Sequence, residues 1–202
     1  MKKALLNKIE KAIRKQYPKY DDDKIAVIMY GIEGLYITIT KTIVIFALAF
    51  FLGIFKSLLL LLLFFNGVRL FAFGMHAPNG IVCLIISTLL FIGIAYLSTL
   101  ITIPSIGLFI IYGICFMLML LFAPADTIKR PLIKKKKRVT YKILSLTITA
   151  IYFLICLFIN NSLIINSITF GLIIECILIN PLTYKLFKLP FNNYKTYGLN
   201  VK

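Results

Sequence analysis

The sequence IVCLIISTLLFIGIAYLSTLI, at residues 81–101, contains no charged side chain. A helix that crosses the hydrocarbon core of a bilayer needs about 20 mostly apolar residues, so this stretch is long enough to span a membrane. Over the whole chain of 202 residues, 60% are apolar and the mean hydropathy is +0.95. A soluble globular domain is less apolar than this. The composition therefore predicts an integral membrane protein.

Further stretches of similar length and composition lie on both sides of this one. Their boundaries carry signals that interrupt an apolar helix, such as Lys56, Pro104 and the Asn160–Asn161 pair. Six spans are predicted, at residues 35–55, 57–73, 81–101, 105–123, 143–160 and 163–180. The second is short, and a re-entrant segment is its alternative. We expect an all-α integral membrane protein of six transmembrane helices, with both termini on the same side.

The basic residues indicate which side that is. Lys and Arg number 23 against 7 Asp and Glu, for a formal net charge of +16. All of the basic residues except Lys41 and Lys56 fall in the terminal segments or in loops on the same predicted face. By the positive-inside rule, both termini and the 124–142 loop are predicted to be cytoplasmic in a multi-pass cell-membrane protein. The long apolar runs exclude a nucleic-acid-binding domain, so no nucleic acid partner is expected.

The segments before and after the membrane region differ from it in composition. In residues 1–24, apolar positions recur at helical spacing among lysines, which predicts a basic amphipathic helix lying on an anionic bilayer; a solvated basic tail is the alternative. Residues 35–180 form the membrane region and residues 181–202 a cytoplasmic tail. We expect residues 1–202 to form one polytopic membrane domain.

One loop combines two chemically active side chains. His76 is the single histidine of the chain, and Cys83 follows it across a loop that contains Pro78 and Gly80. A neutral imidazole can deprotonate a thiol, and a thiolate is stabilised near a helix N-terminus. On one straight helix the pair would be roughly 10.5 Å apart along the axis, so a turn between them is required. The alternative to catalysis is that His76 only anchors the chain at the membrane–water interface and that Cys83 only packs against its neighbours.

Metal and cofactor sites are not expected. The four cysteines contain no CxxC pair, and a single histidine does not supply the ligands of a zinc site.

Two sequence blocks resemble the accessory gene regulator B (AgrB) family. The first is Arg69-x4-Gly74-x-His76-Ala77-x5-Cys83, and the second is Ala123-Pro124-Ala125-Asp126 with a later proline and the basic run at residues 134–138. Six spans and a length near 200 residues also agree. One difference is Phe73, where the family commonly has the first glycine of a pair.

The resemblance implies a membrane cysteine endopeptidase of quorum sensing. Its substrate would be a short AgrD-like propeptide with an amphipathic N-terminal helix and an acidic C-terminal part. The enzyme would cut on the C-terminal side of the signal and assist cyclisation to a thiolactone or lactone autoinducing peptide. Cys83 would be the nucleophile and His76 the general base, with Arg69 and Gly74 supporting them. A homodimer is also implied.

Several further residues are candidates for this site. Asp126 and Glu175 are both predicted near the cytoplasmic face, and either is a candidate to orient His76. Asp126 could instead cap a turn or pair with cations, and Glu175 could line a substrate cleft. The basic run is a candidate docking site for the acidic part of the propeptide, and its members are Lys134, Lys135, Lys136, Lys137 and Arg138.

Two other classes of protein are compatible with the sequence. A small transporter or channel component would use His76 as a proton relay, although the inverted repeat of many transporters is not evident. A non-catalytic membrane adaptor would use its basic loops to recruit a partner.

Overall fold

The computed structural model describes residues 2–75, 80–127 and 132–195, with side chains described for 5–75, 82–127 and 132–195. Within these ranges the regular structure is helical. The elements are α1 (Lys2–Gln16), α2 (Asp22–Phe51), α3 (Phe55–Ala72), α4 (Gly80–Leu100), α5 (Ser105–Phe122), α6 (Lys135–Phe158), α7 (Ser162–Ile179), α8 (Pro181–Leu186) and a 3-10 turn (Asn193–Lys195).

The six predicted spans are confirmed as helices. Among the described residues, α2 to α7 are six helices long and apolar enough to cross a membrane. The second span, α3, is one continuous helix of 18 residues. The described chain therefore has the all-α architecture of a multi-pass membrane protein, and the amphipathic helix α1 precedes the first spanning helix in the sequence.

Two predicted boundaries are wrong. The first spanning helix was predicted at residues 35–55 but runs from Asp22 to Phe51. Acidic residues in its first turn favour an early start, and Gly53, with a φ of +71°, follows its end. The fifth spanning helix was predicted at 143–160 but begins at Lys135. Lysine and arginine are good helix formers, so residues 135–138 of the basic run are part of the helix.

The chain divides into two compact units, residues 1–47 and 48–202. In the first, the Arg14 guanidinium joins the two helices, contacting Glu10 of α1 at 3.0 Å and Asp22 of α2 at 2.7 Å. All candidate site residues belong to the second unit.

Helix α7 forms the centre of the second unit. It is the most buried of the six long helices and packs chiefly against α3. At Gly171 the backbones approach closely, since a Cβ there would lie 3.0 Å from the Phe65 nitrogen. Small residues allow membrane helices to pack at such short distances.

Hydrogen bonds between helices define the two ends of this bundle. The Ser57 hydroxyl, at the start of α3, donates to the Ala95 carbonyl of α4 at 2.7 Å. The Asn166 amide, near the start of α7, donates to the carbonyls of Ser98 and Ile101 at 2.8 and 2.6 Å. The start of α3, the end of α4 and the start of α7 therefore meet at one end. The described residues of the candidate site lie at the opposite end of the bundle.

Candidate active site

The candidate site is built on backbone contacts where α3, α5 and α7 end. The Gly74 amide donates to the Ala125 carbonyl at 2.9 Å, and the Ala125 amide donates to the Ala72 carbonyl at 2.9 Å. The Met75 amide donates to the Leu178 carbonyl at 3.1 Å. The chain that leaves α3 is thus held between the loop after α5 and the end of α7, which are distant from it along the sequence.

Residues 73 and 74 turn the chain sharply at the end of α3. Both have positive φ, 64° for Phe73 and 96° for Gly74. A Cβ at position 74 would lie 3.3 Å from Arg69 Nη1, Glu175 Oε1 and the Leu178 carbonyl oxygen. Only glycine combines this backbone conformation with so little space. Phe73 has a positive φ without being glycine, and its ring packs edge-on against Tyr141 with centroids 5.0 Å apart.

A buried ion pair lies directly beneath this turn. Arg69 Nη1 donates to Glu175 Oε2 at 3.1 Å, while Nη2 donates to the Met75 carbonyl at 2.8 Å. The Glu175 side chain is fully buried, and that of Arg69 is 16% exposed. The guanidinium also lies over the Phe65 ring, 5.3 Å from its centroid. Arg69, Gly74 and Glu175, each a candidate from sequence, are therefore in one cluster.

The second carboxylate candidate, Asp126, has different partners. It is 2% exposed. Its oxygens accept backbone hydrogen bonds from Asn193 at 2.9 Å, Tyr194 at 2.8 Å and Leu132 at 3.3 Å. Asp126 therefore fastens the 3-10 turn of the tail to the loop after α5. Its carboxylate accepts hydrogen bonds from backbone amides, as in the capping role considered from the sequence. Two of these amides belong to the distant C-terminal tail.

The tail supplies residues that the sequence did not single out. The Tyr184 hydroxyl, on α8, donates to the carbonyls of Ala125 and Asp126 at 3.3 and 3.0 Å. Burial raises the pKa of Tyr184, with the Asp126 charge acting in the same direction. The Asn193 side-chain amide also donates to the Asp126 carbonyl, at 3.3 Å. Their spacing follows no recognisable motif, and the available signal was the Asn180–Pro181 pair, which is typical of a helix start and begins α8.

The four cysteines occupy two kinds of environment. Cys83 lies in the first turn of α4, as predicted, and is half-buried, with its sulfur 3.8 Å from the Ser87 hydroxyl. Cys115, Cys156 and Cys176 are buried among the spanning helices. Because α4 is antiparallel to α3, Cys83 lies at the same end of the bundle as Gly74. Of the four thiols, Cys83 is the one with partial access.

Some predicted residues lie outside the described part of the chain. His76 is among them, so its distance from Cys83 is not part of this structure. Residues 128–131, between Asp126 and the basic run, are also outside the described ranges.

The basic run divides into two groups of side chains. Lys134, Lys135, Lys136 and Lys137 are exposed. Arg138 instead donates to the carbonyls of Leu132 and Ile133, at 3.1 and 3.2 Å, and stacks on Tyr194, 3.8 Å from the ring centroid. The lysines are available to an incoming ligand, whereas Arg138 holds the tail. A group of His, Cys, Asp and Glu suited to a metal ion is not found among the described residues.

The fold and this site define a small polytopic helical membrane protein with a half-buried thiol at the end of its bundle. Comparison with known proteins identifies its family. The model of the family "Accessory gene regulator B" matches residues 6–179, so this chain belongs to the AgrB family. Family membership implies a role in the agr quorum-sensing system and association with the AgrD propeptide.

Individual relatives support the same assignment. A putative AgrB-like protein of Clostridium acetobutylicum is 31% identical over 85% of this chain and 82% of its own length. One from Listeria monocytogenes is 32% identical over 92% and 91%. The accessory gene regulator protein B of Staphylococcus carnosus is 31% identical over 69% and 76%. No solved structure matches this chain.

Proposed function

We propose that the protein is a membrane cysteine endopeptidase in which Cys83 is the nucleophile and His76 the general base. The observation that carries the proposal is the position of Cys83. It is the half-buried cysteine at the start of α4, at the end of the bundle where Arg69, Gly74 and Glu175 fix the chain that leads to His76. The first turn of a helix favours a thiolate, because unpaired N–H groups and the helix dipole present positive potential there.

The proposed reaction begins with attack of the Cys83 sulfur on the scissile carbonyl carbon of an AgrD-like propeptide. His76 takes the thiol proton and delivers it to the leaving amine, so that the peptide C–N bond breaks and a thioester to Cys83 forms. A thiol or hydroxyl within the acyl part then attacks the thioester carbonyl. That step releases the Cys83 thiol and closes a thiolactone or lactone ring.

The exposed lysines provide a docking surface for the acidic end of such a propeptide. Lys134 to Lys137 lie at the start of α6, and a basic residue near an anionic lipid surface contributes about 1 kcal/mol, which sets the scale for an acidic peptide. Screening limits this attraction to about 8–10 Å at physiological ionic strength. The proposed substrate therefore lies along the bundle end, with its acidic part near α6 and its scissile bond near Cys83.

The proposal is tested with the purified full-length chain in lipid vesicles and a candidate propeptide. We expect Cys83→Ala and His76→Ala to abolish cleavage, and Cys115→Ala, which alters a buried thiol, to retain it. Cleavage by Cys83→Ala at the rate of the unsubstituted protein would refute the proposed nucleophile. Mass spectrometry of the products would show whether the released signal is cyclic or linear.

A further inference from the structure

We propose that Glu175 is a positioning residue that fixes, through Arg69, the backbone leading to His76. The inference rests on the proposed function, because it assigns a role within that site. It starts from the two acceptors of the Arg69 guanidinium. One nitrogen contacts Glu175 on α7, and the other contacts the Met75 carbonyl, immediately before position 76.

The two contacts are coupled by the shape of arginine. Its planar guanidinium presents donors in a fixed fork, so that orienting one nitrogen also orients the other. Glu175 Oε2 therefore sets the direction from which Arg69 reaches Met75. Helix α7 also supplies the Leu178 carbonyl, which accepts the Met75 amide at 3.1 Å. The end of α7 thus controls both the amide and the carbonyl of Met75, one directly and one through Arg69.

The second oxygen of Glu175 supports the same role. Among the described residues, Oε1 has no hydrogen-bond partner, and it is fully buried. It lies 3.3 Å from the point that a Gly74 Cβ would occupy. Buried carboxylates without full hydrogen bonding are costly in a membrane protein and mark functional positions.

Comparison of the two acidic candidates favours Glu175 over Asp126. The Asp126 oxygens accept the amides of Leu132, Asn193 and Tyr194, so that carboxylate organises the tail. Glu175 instead contacts Arg69, whose guanidinium also donates to the Met75 carbonyl, directly before position 76. The carboxylate that acts on the site is therefore the one contributed by α7.

The test compares three variants of the full-length protein in lipid vesicles. Glu175→Gln keeps the side-chain size but removes the charge that holds Arg69. Arg69→Lys keeps the charge but loses the fork that reaches two acceptors. The matched control is Asn166→Ala, which removes the bonds to Ser98 and Ile101 on the same helix at the opposite end of the bundle.

For each variant, kcat and KM for propeptide cleavage and the thermal midpoint are measured. We expect Glu175→Gln and Arg69→Lys to lower kcat by at least about tenfold with KM within about twofold, since small displacements of catalytic groups cost this much. Asn166→Ala should lower the midpoint and leave kcat unchanged. Rates of Cys83 alkylation by a small haloacetamide across pH provide a second readout, and both site variants should shift that profile.

Two results would overturn the proposal. One is a Glu175→Gln variant with unchanged kcat and an unchanged alkylation profile. The other is a loss of kcat that follows the thermal midpoint equally in all three variants. If Glu175→Gln does not fold, the Arg69→Lys result decides, because that substitution preserves the buried charge pair. Failure of the proposed endopeptidase is distinguished separately, by cleavage that persists in Cys83→Ala.

Discussion

Gly74 is constrained both by its backbone conformation and by its close neighbours. Its φ of +96° belongs to the left-handed region, and three groups lie 3.3 Å from the place of a Cβ. Two of these groups, Arg69 and Glu175, form the buried pair. A side chain at this position therefore disturbs the turn and the pair together, and the effect on activity should exceed that on stability.

We expect Gly74→Ala to destabilise the protein by about 1–3 kcal/mol, the usual cost of a strained backbone conformation. Propeptide cleavage per folded molecule should also fall. The control is Gly113→Ala, because a Cβ at position 113 meets nothing within 4 Å. Thermal unfolding in detergent and cleavage assays measure both effects. Equal behaviour of the two variants would show that the turn does not require glycine.

At the level of helices, hydrophobicity predicted the number and order of the spans but not where each helix ends. Apolar length reports the hydrocarbon core, whereas helical hydrogen bonding continues into the flanking polar residues. This is why α2 begins at Asp22 and α6 at Lys135, well before the apolar windows.

The sequence also predicted candidate residues of the site, but it did not predict which residues they contact. Arg69, Gly74, Glu175 and Asp126 were selected from membrane depth and from the family blocks. The pairing of Arg69 with Glu175, 106 positions away, depends on how α3 packs against α7. The contacts of Asp126 with the 3-10 turn depend on the path of the tail. Neither follows from periodicity or local spacing.

The close packing of α3 and α7 gives a prediction. A Cβ at Gly171 would lie 3.0 Å from the Phe65 nitrogen, and a helix backbone cannot move aside as a side chain can. We expect Gly171→Ala to cost about 1–3 kcal/mol through overpacking. Gly93→Ala, on α4, has open space and should be close to neutral. Thermal midpoints of the two variants in one detergent provide the comparison, and a neutral Gly171→Ala would contradict this packing.

The start of α6 gives a prediction about substrate binding. Replacing Lys134 to Lys137 with Gln removes four exposed cations. It should raise KM for an acidic propeptide more than it lowers kcat, and added salt should reduce the difference between variant and unsubstituted protein. Arg138→Gln is the contrasting variant, because it releases Tyr194 and should lower stability instead. A KM that is insensitive to both the Gln substitutions and salt would exclude docking at this surface.

For the whole molecule, the distribution of charge predicts the orientation in the membrane. Lys56 follows α2 on the face with few cations, and the start of α6 belongs to the basic face. In a cysteine-free variant, Lys56→Cys should react with a membrane-impermeant maleimide on intact cells. Lys135→Cys should react only after permeabilisation, and both should be labelled then. The reverse pattern would contradict cytoplasmic termini and place the site on the outer side.

Within the second unit, the start of α6 and the proposed active site lie at the same end of the bundle, where Tyr141 packs against Phe73. Under the proposed function, the four exposed lysines at the start of α6 have a use beyond orientation, because they would bind the acidic part of the propeptide. The tail contributes to this end as well, since Asp126 and Tyr184 tie it to the loop after α5.

In the proposed reaction, the acyl part of the propeptide is transferred to the Cys83 sulfur. The most direct measurement of this transfer is intact-protein mass spectrometry of a rapidly quenched reaction between the vesicle-embedded protein and a propeptide whose internal nucleophile is replaced by Ala. We predict a covalent adduct whose added mass is that of the linear N-terminal cleavage product less one water, mapped to Cys83 and released by hydroxylamine as expected for a thioester. Cleavage that proceeds without any adduct, or an adduct on another residue, would contradict the account.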